Sequence, residues 1–198
     1  MNELETLEDV EAPARAEGLT EADLEYIRAI EGLTAEQWEK LEPAERLEAL
    51  QELEDKLAEI QGRPPYPVVA EYLPCNRNEL SGGYFDGDRI VVNRSLLEGG
   101  SAEIEALVEE FGLGSSREFV VNTLAHEGRH AYQWYAVENP GVHPNEHEVE
   151  YWRANFETYL QSGLYGFEAY WMQPLEVDAR RYGDAVAALF DGTPALAA

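Results

Sequence analysis

One cysteine, Cys75, stands in this 198-residue chain, so no internal disulfide can form and neither a cysteine-rich zinc ribbon nor a redox pair is open to it. Any bound metal must therefore take histidine and carboxylate ligands. Basic residues are scarce as well, 14 against 40 acidic ones for a formal charge of -26, and two of them, Lys40 and Lys56, are the only lysines. A surface so charged repels phosphate backbones and anionic lipid, which argues against nucleic-acid and membrane partners. No run approaches the roughly 20 apolar residues of a spanning helix, and the acidic opening MNELETLEDVEAPARAEG lacks the apolar segment of a secretory signal. The expectation is the cytoplasm, or export by a route that reads no classical signal peptide.

What is present suffices for a core. Hydrophobic residues make up 44% of the chain and aromatics 11%, too apolar a composition for wholesale disorder, and the length favours one catalytic-sized domain with a small appendage. Residues 1–18 carry charge without periodicity and read as a flexible acidic tail. Residues 19–62 read as an acidic helical region. There, Thr20 with Asp23 and Thr34 with Gln37 are expected to form capping boxes, and Leu47, Leu50, Leu53, Leu57 and Ile60 form a stripe at helical spacing. Pro43 is expected to break this region near Leu41 and Glu42. The first 62 residues hold 19 acidic and 5 basic residues, which suits a solvated helical cap on the core or a docking and delivery module.

GRPPYPV marks a boundary, and residues 63–198 read as the main domain. VVAEYL, GGYF and RIVVN alternate as short strands, with Asp86-Gly87-Asp88 as a hairpin turn, so a small antiparallel sheet is expected. Helical patterns follow in SAEIEALVEEFG, in SSREFVVNTLAHEGRHAYQWYAVE and in EVEYWRANFETYLQSG, and again after Pro174, before a fraying DGTPALAA end. The fold class is therefore α+β.

The chemistry concentrates in VNTLAHEGRHAYQW, residues 121–134. On a helix, positions four apart differ by about 40° and about 6 Å, so His126 and His130 can reach one ion. Zinc suits two imidazoles and a carboxylate, with a fourth position left for water whose pKa falls to about 7. Glu127 is rotated off the metal but within reach of that water, as a general base requires. The apolar flanks bury this cluster, and a buried His-Glu-His group needs partners. Glu176, in the first turn of the helix that Pro174 opens, is the third ligand candidate, with small Ala179 one turn on to allow close helix approach. Asp178 points elsewhere and suits Arg129, Arg180 or a ligand's second ring nitrogen. His143 and His147 repeat the spacing but straddle a loop at Pro144 and Asn145, so they read as loop residues or substrate contacts rather than a second metal site. Among Tyr132, Tyr159, Tyr165, Tyr170 and Tyr182, Tyr170 is chosen as the hydroxyl that stabilises an oxyanion.

HEGRH followed at a distance by Glu176-x-x-Ala179 resembles the zincin metallopeptidases with a glutamate third ligand, the gluzincin-like pattern. GGYFDGDRIVVN looks like the edge-strand hairpin of minimal zincins, which borders the cleft and pairs with extended peptide. HExRHAxQ together with QPxExDA is similar to small bacterial metallopeptidase domains found in polymorphic toxins and phage-related proteins. The resemblance covers about residues 66–190. It implies a minimal zincin-like domain behind the acidic helical region, with zinc on His126, His130 and Glu176, and hydrolysis of a peptide or protein substrate. An inhibitory or delivery partner is a further expectation. Two residues depart from the pattern: Gly128 weakens the helix by roughly 1 kcal/mol, and Arg129 puts a charge where the motif avoids one. Arg129 should face a carboxylate such as Asp178, or bind an acidic pro-segment. The rival readings are an inactive zincin serving as an interaction protein and a non-peptidase metallohydrolase.

Overall fold

The computed structural model describes residues 18–99 and 101–190. The expected acidic tail, apart from Gly18, and the DGTPALAA end lie outside the described residues. The first helix, α1 (Glu21–Arg28), opens on a complete capping box: Thr20 accepts from the Asp23 amide while the Asp23 carboxylate accepts from the Thr20 amide. The box expected at Thr34 does not form. Its hydroxyl donates instead to the Glu31 carbonyl of the preceding 3-10 turn at 2.8 Å, and α2 (Ala35–Trp38) runs for a single turn. Pro43 separates α2 from α3 (Pro43–Gln61) as expected, sitting in the first turn where a missing N–H leaves no helical bond unmade. Gly62 ends α3 in the left-handed region, with φ 66°.

The strands are β1 (Val68–Glu71), β2 (Cys75–Asn76), β3 (Glu79–Leu80), β4 (Gly83–Phe85) and β5 (Ile90–Asn93). The turn at Asp86-Gly87-Asp88 joins β4 to β5 in an antiparallel hairpin, with the Asp86 side chain accepting from the Asp88 and Arg89 amides and Gly87 at φ 100°. The three-stranded sheet as a whole is not antiparallel. Its order is β1-β5-β4, and β1 runs parallel to β5, in register Val68 to Ile90 through Glu71 to Asn93. The segment between β1 and β4 carries the separate β2–β3 hairpin, which gives the chain room to return and lay β5 alongside β1 in the same direction. Every residue of β5 is buried, as befits the central strand of a covered sheet, and β4 is left as an edge.

Ten α-helices and two 3-10 helices accompany the strands among the described residues. After α4 (Arg94–Glu98) and α5 (Ala102–Glu110) comes the long α6 (Ser116–Glu138), opened by a Ser115–Glu118 capping box. It is followed by α7 (Glu146–Glu157), α8 (Ser162–Tyr165), α9 (Phe167–Trp171) and α10 (Pro174–Ala187). Leu50, Leu53 and Leu57 of α3 are fully buried in one cluster with Ile90 and Val92 of β5, Leu124 of α6 and Tyr182 of α10. Each such leucine contributes about 1.5–3 kcal/mol by leaving water. The acidic helices thus build the same core as the sheet and α6, with most of their carboxylates outward and Glu54 buried. A second cluster joins Tyr132 and Ala136 of α6 to Trp152 of α7 and Leu175 of α10.

Candidate metal centre

Helix α10 lies antiparallel against α6, with Asp184 bonded to Asn122 at one end and the Leu175 carbonyl bonded to Gln133 at the other. Small residues allow that approach. Ala179 is fully buried, and a Cβ at Gly183 would lie 3.0 Å from the Asn122 carbonyl oxygen. The contact carries Glu176 to His126 and His130, which project together from α6 with Nε2 atoms 3.0 Å apart. Glu176 Oε2 stands 3.4 Å from His126 Nε2, and Oε1 stands 3.5 Å from His130 Nε2. Among the described residues these three form the one group of three or more histidine, cysteine or carboxylate side chains able to hold a metal ion.

The fit to a metal can be tested on the atoms themselves. A tetrahedral ion bound at about 2.0–2.1 Å separates its ligand atoms by about 3.3 Å, and the three separations here run from 3.0 to 3.5 Å. Glu176 is 1% exposed, and its Oε2 is buried with no hydrogen-bond donor among the described residues, an expensive state that a cation would relieve. The tautomer of His130 is also set. Gln133 donates through Nε2 to the Leu175 carbonyl at 3.1 Å and to Asp178 at 2.6 Å, so its Oε1 is turned to accept from His130 Nδ1 at 2.7 Å. A proton held on Nδ1 leaves the Nε2 lone pair facing the cluster.

Burial opposes the charge of Glu176, yet the facing His126 and His130 rings, 3.4 and 3.5 Å away, and the Tyr159 hydrogen bond hold its carboxyl well below the usual carboxylate range. Burial likewise disfavours a charged His130, but Glu176, 3.5 Å from its Nε2, and the charge of Glu127 outweigh it and raise the ring to about 8.

Arg129 and Gly128 cease to be anomalies. Arg129 clasps Asp178 with Nε at 2.8 Å and Nη2 at 3.0 Å while its guanidinium lies over the rings of Tyr132, Trp152 and Tyr182. Asp178 is therefore Arg129's partner and, through Gln133, a support for His130. At Gly128 a Cβ would meet Glu54 Oε2 at 3.1 Å and Arg63 Nη2 at 3.3 Å, so glycine admits a buried ion pair against the helix.

Glu127 lies beside the cluster, Oε1 3.9 Å from His126 Nε2, with Oε2 accepting the Phe85 amide of edge strand β4 at 2.9 Å. Tyr170 faces the same cleft, but the tyrosine bonded to the cluster is Tyr159, whose hydroxyl donates to Glu176 Oε1 at 2.5 Å. Burial, followed by the Glu176 hydrogen bond, pushes the Tyr159 hydroxyl far up; burial and then the Glu176 charge do the same to Tyr170. Both remain protonated donors. Gln133 was findable in sequence as the residue one turn beyond His130 on the same face. Tyr159 carried no spacing signal, because it lies just after α7. His143 is half-buried between the Tyr132 hydroxyl at 2.8 Å and Glu148 at 3.0 Å, His147 is exposed, and the two share no metal cluster.

His130 and Glu176 of the cluster, with Glu127, line a cleft of about 520 Å³ together with Tyr84, Phe85, Trp134, Phe156 and Tyr170. No helix among the described residues is long and apolar enough to cross a membrane. Compared with protein-family models, curated proteins and solved structures, the chain matches none.

Proposed function

We propose that this protein is a zinc-dependent metallopeptidase of the zincin type, with His126, His130 and Glu176 as ligands and Glu127 as general base. The observation that carries the reading is the buried, donorless Glu176 Oε2 beside two facing imidazoles, in the lining of an open cleft next to a second carboxylate. Zinc bound there would supply a Lewis acid for the scissile carbonyl and bring water to ionise near neutral pH. Glu127, steered by the Phe85 amide, takes a proton from the attacking water and returns it to the leaving amine. The Tyr159 and Tyr170 hydroxyls, kept protonated, are the donors nearest to a developing oxyanion. Edge strand β4 lines the cleft and suits an extended peptide, although its Phe85 amide is already engaged by Glu127.

Metal analysis of purified protein, with and without added zinc, is the direct test. The parent should carry one zinc. Glu176→Ala should lose it, whereas Asp178→Ala, which only loosens Gln133 and Arg129, should weaken it by about 10–100-fold. Zinc held by Glu176→Ala as tightly as by the parent would remove Glu176 from the ligand set. Failure of the parent to take up zinc at all would end the reading.

A pH dependence follows from His130. With a folded pKa of about 8, above the ordinary 6.5, the metal-free protein gains stability from the protonated ring. That contribution is fully present below about 6.5 and is lost as pH rises through about 8, a change of roughly 2 kcal/mol. Because zinc requires the neutral ring, chelation should lower Tm much less at about pH 6 than at about pH 9. Equal losses at the two pH values, measured by scanning calorimetry, would contradict this account of His130.

A further inference from the structure

Arg129 and Tyr132 leave α6 on the face opposite Glu127, His130 and Trp134, and there they help to line a second cavity of about 360 Å³, within the size range of small-ligand sites. Two of its lining residues carry buried polar atoms with no hydrogen-bond partner among the described residues: Gln61 Nε2 at the end of α3 and the Tyr182 hydroxyl of α10, a residue 3% exposed. A third group adds to them. Asp178 occupies Nε and Nη2 of Arg129, while Nη1 makes no hydrogen bond among the described residues. The two buried atoms depart from the near-complete pairing of buried polar groups, and Arg129 Nη1 adds an unused donor from a third helix of the same lining.

The groups share one chemistry. An amide nitrogen and a guanidinium only donate, and burial pushes the Tyr182 hydroxyl up to about 12, so it too has a proton to give at neutral pH. Glu148, a carboxylate on the wall, is engaged by His143 at 3.0 Å, and Ile60 and Val142 supply apolar surface. We propose that this cavity is a binding site for a small carboxylic acid with an apolar body, its carboxylate held by Gln61 Nε2, the Tyr182 hydroxyl and Arg129 Nη1. A chain of charge -26 repels anions in general, so saturable uptake of one requires a built site.

Benzoate is the probe, with benzyl alcohol as the uncharged control of similar size, followed by calorimetric titration and thermal shift on the full chain. Benzoate should bind saturably and raise Tm, and benzyl alcohol should not. Tyr182→Phe should weaken benzoate about fivefold or more, yet leave the Tm of the ligand-free protein unchanged or higher, because the hydroxyl surrenders no partner. Gln61→Glu keeps the oxygen that accepts from Arg63 Nε at 2.7 Å but replaces the free donor with an acceptor, and it should abolish binding. Any of three results overturns the site: no benzoate binding up to about 50 mM, equal affinity in Tyr182→Phe and parent, or benzyl alcohol binding as well as benzoate.

Discussion

Glu127→Gln is expected to keep its zinc and to lose peptide hydrolysis by about 10²–10⁴-fold, the range that a positioned general base supplies. The amide retains an oxygen for the Phe85 N–H, so the side chain should hold its place between β4 and His126. What it loses is the capacity to take a proton. Zinc retention follows from the same electrostatics: the Glu127 charge helps to raise the His130 pKa, so its removal favours the neutral ring that a metal needs. The comparison should therefore be made by single-turnover hydrolysis of a peptide library alongside metal content. A variant that keeps both zinc and the parent's kcat/KM would mean that Glu127 is not the base. If the parent cleaves no peptide but turns over a small amide or ester, the same centre serves a different hydrolysis.

The parts of the centre legible in sequence are those ruled by helical period. His126 and His130 share a face because they are four apart, and Pro174 placed Glu176 in a first turn. Ala179 signalled the close packing that brings Glu176 in, and Asp178 was already matched to Arg129 by charge. What period cannot reach is set by contacts distant in sequence. The parallel pairing of β1 with β5 depends on how the chain returns through β2, β3 and β4, and strands of two to four residues carry too little pattern to specify it. Tyr159 donates to Glu176 because the chain just after α7 aims it there, which no local spacing records. Thr34 had the letters of a capping box, but the carbonyl of Glu31 competed for its hydroxyl and won.

Arg63→Met should destabilise the protein by about 3–5 kcal/mol, a large share of the roughly 5–15 kcal/mol that holds a domain folded. Arg63 and Glu54 form a two-pronged ion pair at 2.6 and 2.9 Å with both side chains 0% exposed. The remaining valences are filled as well: Arg63 donates to Gln61, to the Pro64 carbonyl and to the Gly128 carbonyl, and Glu54 also accepts the Tyr66 amide. Methionine removes every one of those donors and leaves a buried carboxylate without its cation. Urea unfolding of Arg63→Met, Glu54→Met and the double variant should give two large losses and a double loss well below their sum, because the pair costs most when only one member remains. Single losses within about 0.5 kcal/mol of the parent would deny the pair this role. The bond from Arg63 Nη2 to the Gly128 carbonyl, at 3.2 Å, also ties α3, through Glu54, to the HEGRH turn itself. Gly128 is small because that pair lies against it, so the residue that weakens the motif as a helix is the one through which the acidic front region grips it. Arg63→Met should therefore weaken zinc binding along with stability, although Arg63 lies outside the ligand set.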